Sequence, residues 1–276
     1  MKTNALYTEL KQSIDPLDVR LLLCHVLGYT HEEFLLQQEK DINPTQEKII
    51  RELAAQRAQG RPVAKIIGYK EFYGRNFITT EATLDPRPDS ETLIDAILSH
   101  MPDDRTLRIL DLGTGTGCLM LTLLAERPLV RGVAVDKSPE ALAIAQKNAQ
   151  VLGLEERVTF HHGDWAQGID GPFDIVISNP PYIPTAEIAA LARDVKEYDP
   201  GAALDGGADG LEAYRVLIAD APRLLRPNGV VGFEVGQGQA QAVTALLQEK
   251  GFGDVACFKD LAGIERVLLA KMAKTA

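Results

Sequence analysis

Cysteine is scarce in this chain: Cys24, Cys118 and Cys257 are the only three in 276 residues, far apart, with no Cys-x-x-Cys pair. That spacing excludes a disulfide framework and a cysteine zinc site, and reads as buried thiols in a reducing compartment. Positive charge is also short, with 29 basic residues against 39 acidic ones, a formal charge of −10 and no cluster of Lys and Arg. Counterion release from a long nucleic acid needs such a cluster, so no nucleic acid partner is expected. Long apolar runs are missing too. Stretches such as Leu21-Leu22-Leu23-Cys24 cannot span a bilayer, and Met1-Lys2-Thr3-Asn4-Ala5 lacks the charged-then-apolar pattern of a secretion signal. A cytoplasmic protein without membrane contact is expected. His161 and His162 have no third ligand near them in sequence, so no metal site is expected. No internal repeat or low-complexity segment is present.

What is there concentrates at one corner. Asn179-Pro180-Pro181-Tyr182 follows the apolar run Phe173-Asp174-Ile175-Val176-Ile177-Ser178, and reads as a buried strand ending in a rigid turn that carries one amide and one aromatic ring. Consecutive prolines fix φ at two positions and remove two backbone donors, which leaves the carbonyls of Pro180 and its neighbours as acceptors without a competing N–H. Such a corner suits a flat NH2 group. A planar amide or amino nitrogen is a poor nucleophile because its lone pair is delocalised. Acceptors on its hydrogens localise that pair, and the face of Tyr182 holds the plane. An Asn in this position can also satisfy a turn, but a turn does not need the Pro-Pro-Tyr that follows. The chemistry indicated is methylation of a planar nitrogen.

A methyl-donor site lies upstream. Leu107-Arg108-Ile109-Leu110-Asp111 is a β-rich run, then come Leu112-Gly113-Thr114-Gly115-Thr116-Gly117 and a helical pattern from Cys118. Strand, glycine turn and helix start in that order let a ligand touch backbone directly. Cys118 stands where the dinucleotide fingerprint needs glycine, which weakens a pyrophosphate reading. S-adenosylmethionine has no phosphate to cradle and needs acceptors for its amino and hydroxyl groups. Asp136 ends a second strand roughly 20 residues past the glycines, where a ribose clamp sits. It could cap the following helix, although Ser138 is the better cap. A third run ends in Gly163-Asp164-Trp165, which offers an acid and a flat ring to an adenine, with ordinary core as the other reading of Trp165. Arg87 reads as a structural ion pair, and Asp209 as a helix cap.

Organisation changes along the chain. Residues 1–60 are helical in pattern: Asp15-Pro16, Thr30 with Glu33, and Asn43-Pro44 each open a helix. Residues 61–85 read as a β-hairpin linker, with Ile66-Ile67, Tyr69, Phe72-Tyr73 and Phe77-Ile78 broken by Gly68 and Gly74. From Pro86-Arg87-Pro88 to the end, residues 86–276, strand and helix patterns alternate, which predicts a mostly parallel sheet covered on both faces. Ligands of such sheets bind outside the carboxyl ends of the strands, where Asp111, Asp136, Trp165 and Asn179 fall.

An ordered set of motifs carries a family resemblance over nearly the whole chain. It comprises residues 62–68 with Glu71-Phe72-Tyr73-Gly74, then Pro86-Arg87-Pro88-Asp89-Ser90-Glu91, the loop from Asp111 to Gly117, Asn179-Pro180-Pro181-Tyr182-Ile183, and Leu204-Asp205-Gly206-Gly207-Ala208-Asp209-Gly210-Leu211. With these the chain resembles the HemK/PrmC glutamine methyltransferases that modify peptide chain release factors. The resemblance implies a seven-stranded, mostly parallel Rossmann-like α/β methyltransferase domain behind a small helical domain; that helical domain is expected to dock the body of the protein substrate, because one glutamine side chain offers too little surface for selectivity. The resemblance also implies methyl transfer from S-adenosylmethionine to the glutamine of the Gly-Gly-Gln loop of class 1 release factors, by a chain expected to act as a monomer. By motif position, Asp111, Gly113, Thr114, Gly115, Thr116, Gly117, Asp136, Asp164, Trp165 and Asn179 carry over as cofactor contacts. Asn179, Pro180, Pro181 and Tyr182 carry over as the substrate grip, with Asn179, Pro180 and Tyr182 in the catalytic role. A ribosomal-protein glutamine or a nucleic-acid adenine amino group are the alternative substrates. Two departures stand out. Asp85 replaces an aliphatic residue and puts local packing in question, whereas Asp199, before Pro200, replaces Glu and keeps its charge.

Overall fold

Short polar residues ahead of proline or of acidic turns set the first helices, and the computed structural model, which describes residues 1–102 and 104–272, shows how. After α1 (Thr3–Leu10), Asp15 accepts a hydrogen bond from Leu17 N at 2.7 Å to open α2 (Pro16–Leu27). Thr30 and Glu33 exchange capping bonds at α3 (His31–Leu36), as Asn43 and Gln46 do at α4 (Pro44–Ala58). Each such cap satisfies helix-end donors that would otherwise have no partner. Leu6, Val19, Leu22, Leu23, Phe34 and Ile50 form the core of this helical unit. The alternation that places Val63–Ile67 in a hairpin is overridden locally. Pro62 precedes the segment and Gly68, at φ +84°, ends it, so it forms one helical turn, α5. The helical unit comprises Met1–Tyr69 and a later stretch, Ala192–Tyr198, that includes helix α9 (Arg193–Tyr198).

The second unit runs from Lys70 to Leu191 and resumes at Asp199. The hairpin of β1 (Tyr69–Phe72) and β2 (Arg75–Ile78) turns through Tyr73 and Gly74, both at positive φ, the geometry that matches strand twist in tight hairpins. Seven further strands form one sheet: β3 (Arg108–Leu112), β4 (Arg131–Asp136), β5 (Val158–His162), β6 (Phe173–Ser178), β7 (Leu225–Glu234), β8 (Phe252–Lys259) and β9 (Glu265–Met272). Their order is β5-β4-β3-β6-β7-β9-β8, with parallel pairing up to β7 and antiparallel pairing of β9 with both β7 and β8. The chain moves from β3 outward to β5 and then jumps back to β6, so the order reverses beside β3. Ile109 faces both Gly132 and Ile175, which brings the carboxyl ends of β3, β4 and β6 level at that reversal.

Side-chain alternation along the strands divides the core into two layers. Ile109, Ile175, Ile177 and Leu269 face α6 (Glu91–Leu98), α7 (Cys118–Glu126) and α8 (Pro139–Leu152). Leu110, Val176, Phe233 and Leu268 face α10 (Glu212–Leu224) and α11 (Ala240–Glu249). The reading of all three cysteines as buried is corrected: Cys257 is exposed, because it points outward from the edge strand β8, and Cys24 and Cys118 are half-buried. Among the described residues, no helix is long and apolar enough to cross a membrane.

Candidate active site

Alternating glycines shape the loop after β3. Gly113, Gly115 and Gly117 all sit at positive φ, which side chains with a Cβ rarely adopt, and the loop turns back onto the neighbouring strand. Gly113 N and Thr114 N both donate to Val135 O at 2.9 Å, and Gly115 N donates to Asp136 Oδ2 at 2.8 Å. Below the loop, the buried Asp111 accepts from Thr114 Oγ1 at 2.6 Å, and burial pushes its carboxyl up to about 7, with the nearby charge of Asp136 adding to the effect. Asn148 braces the same loop from α8: its Nδ2 donates to Thr116 O at 2.9 Å and to Ile78 O at 3.0 Å, while its Oδ1 accepts from Ile78 N at 2.7 Å.

Gly113, Thr114, Gly115, Thr116, Asp136, Asp164, Trp165, Asn179 and Pro181 line a single crevice of about 600 Å³. That volume lies within the usual range of small-ligand sites. Asp111, Gly117, Pro180 and Tyr182 do not line it. Asp136 is held by Gly115 N and by Ser138 N, the latter at 2.9 Å on Oδ1, while Ser138 caps α8 itself. Trp165 has φ +53°, a strained value for a bulky residue, and its ring reaches within 3.4 Å of where a Cβ on Gly113 would stand.

The corner at 179–182 is held from three directions. Ser178 Oγ donates to Leu112 O at 2.5 Å and ties β6 to β3. Ile183 N donates to Leu204 O and Gly206 N to Ile183 O, at 3.1 and 2.8 Å, so the motif 204–211 forms a short parallel bridge beside the corner. A Cβ on Gly206 would lie 2.8 Å from Tyr182 Cα and 2.9 Å from Pro181 O, so only glycine lets the two backbones approach. Gln239 Nε2 donates to Tyr182 O at 2.8 Å. Among the described residues, none donates a hydrogen bond to the carbonyl of Pro180, which keeps it available as an acceptor. Tyr182 packs beside Gly236, and burial pushes its hydroxyl up to about 12, with Glu234 as the largest charge contribution.

Asn179 Nδ2 donates to Ser90 Oγ at 3.2 Å, and Ser90 Oγ in turn donates to Glu234 Oε2 at 2.5 Å. With Nδ2 engaged, Oδ1 of Asn179 is the atom left for a ligand. Arg87 pairs with the buried Asp199 at 2.9 Å, the structural role expected for it. Asp85 is buried against Thr79, whose hydroxyl donates to it at 2.6 Å, so its departure from an aliphatic residue is satisfied locally. Asp209 accepts from Leu211 N at 3.1 Å ahead of α10 and pairs with Arg215. No group of three or more His, Cys, Asp and Glu side chains among the described residues is placed to hold a metal ion.

Sequence reasoning passed over Ser90, Glu234, Gln239 and Asn148. Glu234 carried a readable signal as the one acid inside the apolar run Val230–Val235, and Ser90 lay in a motif already singled out. The crevice therefore joins a loop and acids suited to an adenosine-like ligand with a fixed amide suited to a flat NH2, and the bare carbonyl of Pro180 follows that amide in the corner without lining the crevice.

Comparison with known proteins follows the same division. A model of the methyltransferase small domain matches residues 88–195, and one of the PrmC N-terminal domain matches residues 5–68. A release factor glutamine methyltransferase of Rhodospirillum rubrum is 47% identical over 254 residues, covering 92% of this chain and 78% of that protein. The Bacillus cereus protein of the same name is 37% identical over 263 residues, covering 91% of each. Among solved structures, a methyltransferase from Pyrococcus furiosus has a TM-score of 0.53 at 17% identity, over 80% of this chain and 98% of that one. The hMettl16 catalytic domain reaches 0.58 at 16% identity, over 81% and 83%. At those identities the structures speak to the fold alone.

Proposed function

The chain belongs to the release factor glutamine methyltransferase family, and on that premise we infer that it methylates the side-chain amide nitrogen of the Gly-Gly-Gln glutamine in class 1 peptide chain release factors, with S-adenosylmethionine as cofactor. The observation that carries the reading is the placement of Asn179, whose Nδ2 is held by Ser90, in the same crevice as the Gly113–Thr116 loop and Asp136. The residues fit the cofactor. Asp136 accepts one backbone N–H on each carboxylate oxygen and keeps further lone pairs for ribose hydroxyls. Asp164 and Trp165 would hold the adenine, and the glycine loop would let the ligand approach the backbone. When bound, S-adenosylmethionine supplies an electrophilic methyl carbon for direct transfer to the substrate nitrogen.

The protein's part is positioning in a shielded crevice. Asn179 Oδ1 and Pro180 O accept the two hydrogens of the substrate amide, which holds its plane and localises the nitrogen lone pair. Tyr182 borders the same plane. The direct test is labelled-methyl transfer to purified release factor, with a variant whose loop glutamine is alanine as control. Label is expected on the natural loop only, and label on the control would sink the assignment.

The helical unit supplies the remaining selectivity by docking the body of the protein substrate, since one glutamine side chain offers too little surface. Leu35 and Leu36 on α3 are 67% and 82% exposed and give it apolar contact area. Deleting residues 1–60 would also strip Ala192–Tyr198 of its packing partners, so substitution is the cleaner probe. Leu35→Ser with Leu36→Ser is expected to raise KM for the release factor by roughly tenfold while cofactor affinity stays at its wild-type value. An unchanged KM would remove this face from docking.

A further inference from the structure

We propose that Glu234, acting through the hydroxyl of Ser90, is the positioning residue that fixes which way the side-chain amide of Asn179 faces; this rests on the glutamine-methyltransferase reading above. An amide can turn about its last bond, and a turned Asn179 would present NH2 to a substrate NH2, a donor against a donor. What prevents this is the order of donors behind it. Glu234 is 2% exposed, and as a carboxylate it can only accept. The proton of Ser90 is therefore committed to Glu234, which leaves the Ser90 oxygen as an acceptor. Nδ2 of Asn179 must then face Ser90, and Oδ1 must face the crevice.

Two observations separate this arrangement from ordinary packing. Ser90 closes the 3-10 turn Pro88–Ser90 that runs into α6, and its hydroxyl makes no bond to the first turn of that helix. Its hydroxyl is spent on Glu234 and Asn179 instead, across 144 and 89 positions of chain. Among the described residues Glu234 is in no direct ion pair, and the cation whose charge acts on it, Arg266, hydrogen-bonds Asp260 and Val235 O and pairs with Asp89.

The ionisation of Glu234 gives the arrangement a pH signature. Burial pushes its carboxyl up to about 7, against the bond from Ser90, the positive charge of Arg266 and a weaker hydrogen bond from the Asn179 amide, with Asp89 acting in the same direction as burial. Tyr182, Tyr214 and Cys118 complete the groups that face it, and burial raises all three, leaving them uncharged at neutral pH. Protonated Glu234 can donate to Ser90, which frees the Ser90 proton to meet a turned Asn179. Activity should therefore fall as pH drops through that value.

The test measures methyl transfer to release factor by the full-length enzyme and its variants. Ser90→Ala should lower kcat roughly tenfold with the cofactor KM unchanged, and Ser90→Thr, which keeps the hydroxyl, should restore it. Adding Ser90→Ala to Asn179→Ala should cost nothing further, because the effect runs through Asn179. Glu234→Gln should lower kcat and abolish the fall in rate below about pH 7. Wild-type kcat in Ser90→Ala, losses that multiply in the double variant, or an unchanged pH profile in Glu234→Gln would each overturn the proposal. Failure of the wild-type enzyme to label release factor would instead count against the functional reading. The variant comparisons would then be made on whichever glutamine protein it does label.

Discussion

Asn179→Ala is expected to slow methyl transfer by about ten- to a hundredfold or more, the rate equivalent of losing one buried acceptor at the reacting group. Alanine removes Oδ1 from the crevice and would leave the proposed grip on the substrate amide to Pro180 O alone. The nitrogen can then rotate, and its lone pair is no longer held toward the methyl group. The fold should survive, because Ser90 keeps its bond to Glu234 and the corner is still held by Gln239 and by the 204–207 bridge. Initial rates of label transfer at saturating cofactor, together with Tm, separate the two effects. A variant that turns over at the wild-type rate would remove Asn179 from the mechanism.

Asp136→Ala should weaken cofactor affinity by about a hundredfold, since the two charge-assisted bonds proposed to the ribose would be lost together. The structure adds a sharper expectation for Asp136→Asn. Both oxygens of Asp136 accept a backbone N–H, one from Gly115 and one from Ser138. An asparagine must turn its NH2 toward one of these donors, so it should be nearly as damaging as alanine, although it matches aspartate in shape. Trp165 is the only Trp in the chain and lines the same crevice, so quenching of its fluorescence on titration with S-adenosylhomocysteine gives the affinity directly. Near-wild-type affinity in the Asn variant would show that Asp136 braces the loop and nothing more.

Much of this site was legible in the sequence because its first ring of residues is local. Gly113–Thr116, Asp136, Trp165 and Asn179, which line the crevice, each end or follow a strand, whereas Asp111 lies on β3 and does not line it; a strand followed by a turn of unusual composition can be read without knowing what packs against it. The parallel sheet followed from the alternation of patterns for the same reason. What escaped was the support behind the ring. Ser90 and Glu234 meet across 144 positions, and Gln239 reaches Tyr182 across 57. No periodicity announces such pairs. The helical turn Val63–Ile67 was lost differently. Its β-branched residues argue for a strand, and the proline before it and Gly68 after it outweigh them over one turn.

Asn148 has a consequence beyond the crevice. Its amide fastens the backbone of the hairpin at Ile78 to the loop at Thr116, so the strand Arg75–Ile78 and the proposed nucleoside cradle are tied together through three hydrogen bonds. Slack introduced at the hairpin would be felt as a looser cradle. Selection for tighter nucleoside retention should therefore recover hits along Arg75–Ile78, where inspection of the binding pocket alone would give no reason to look.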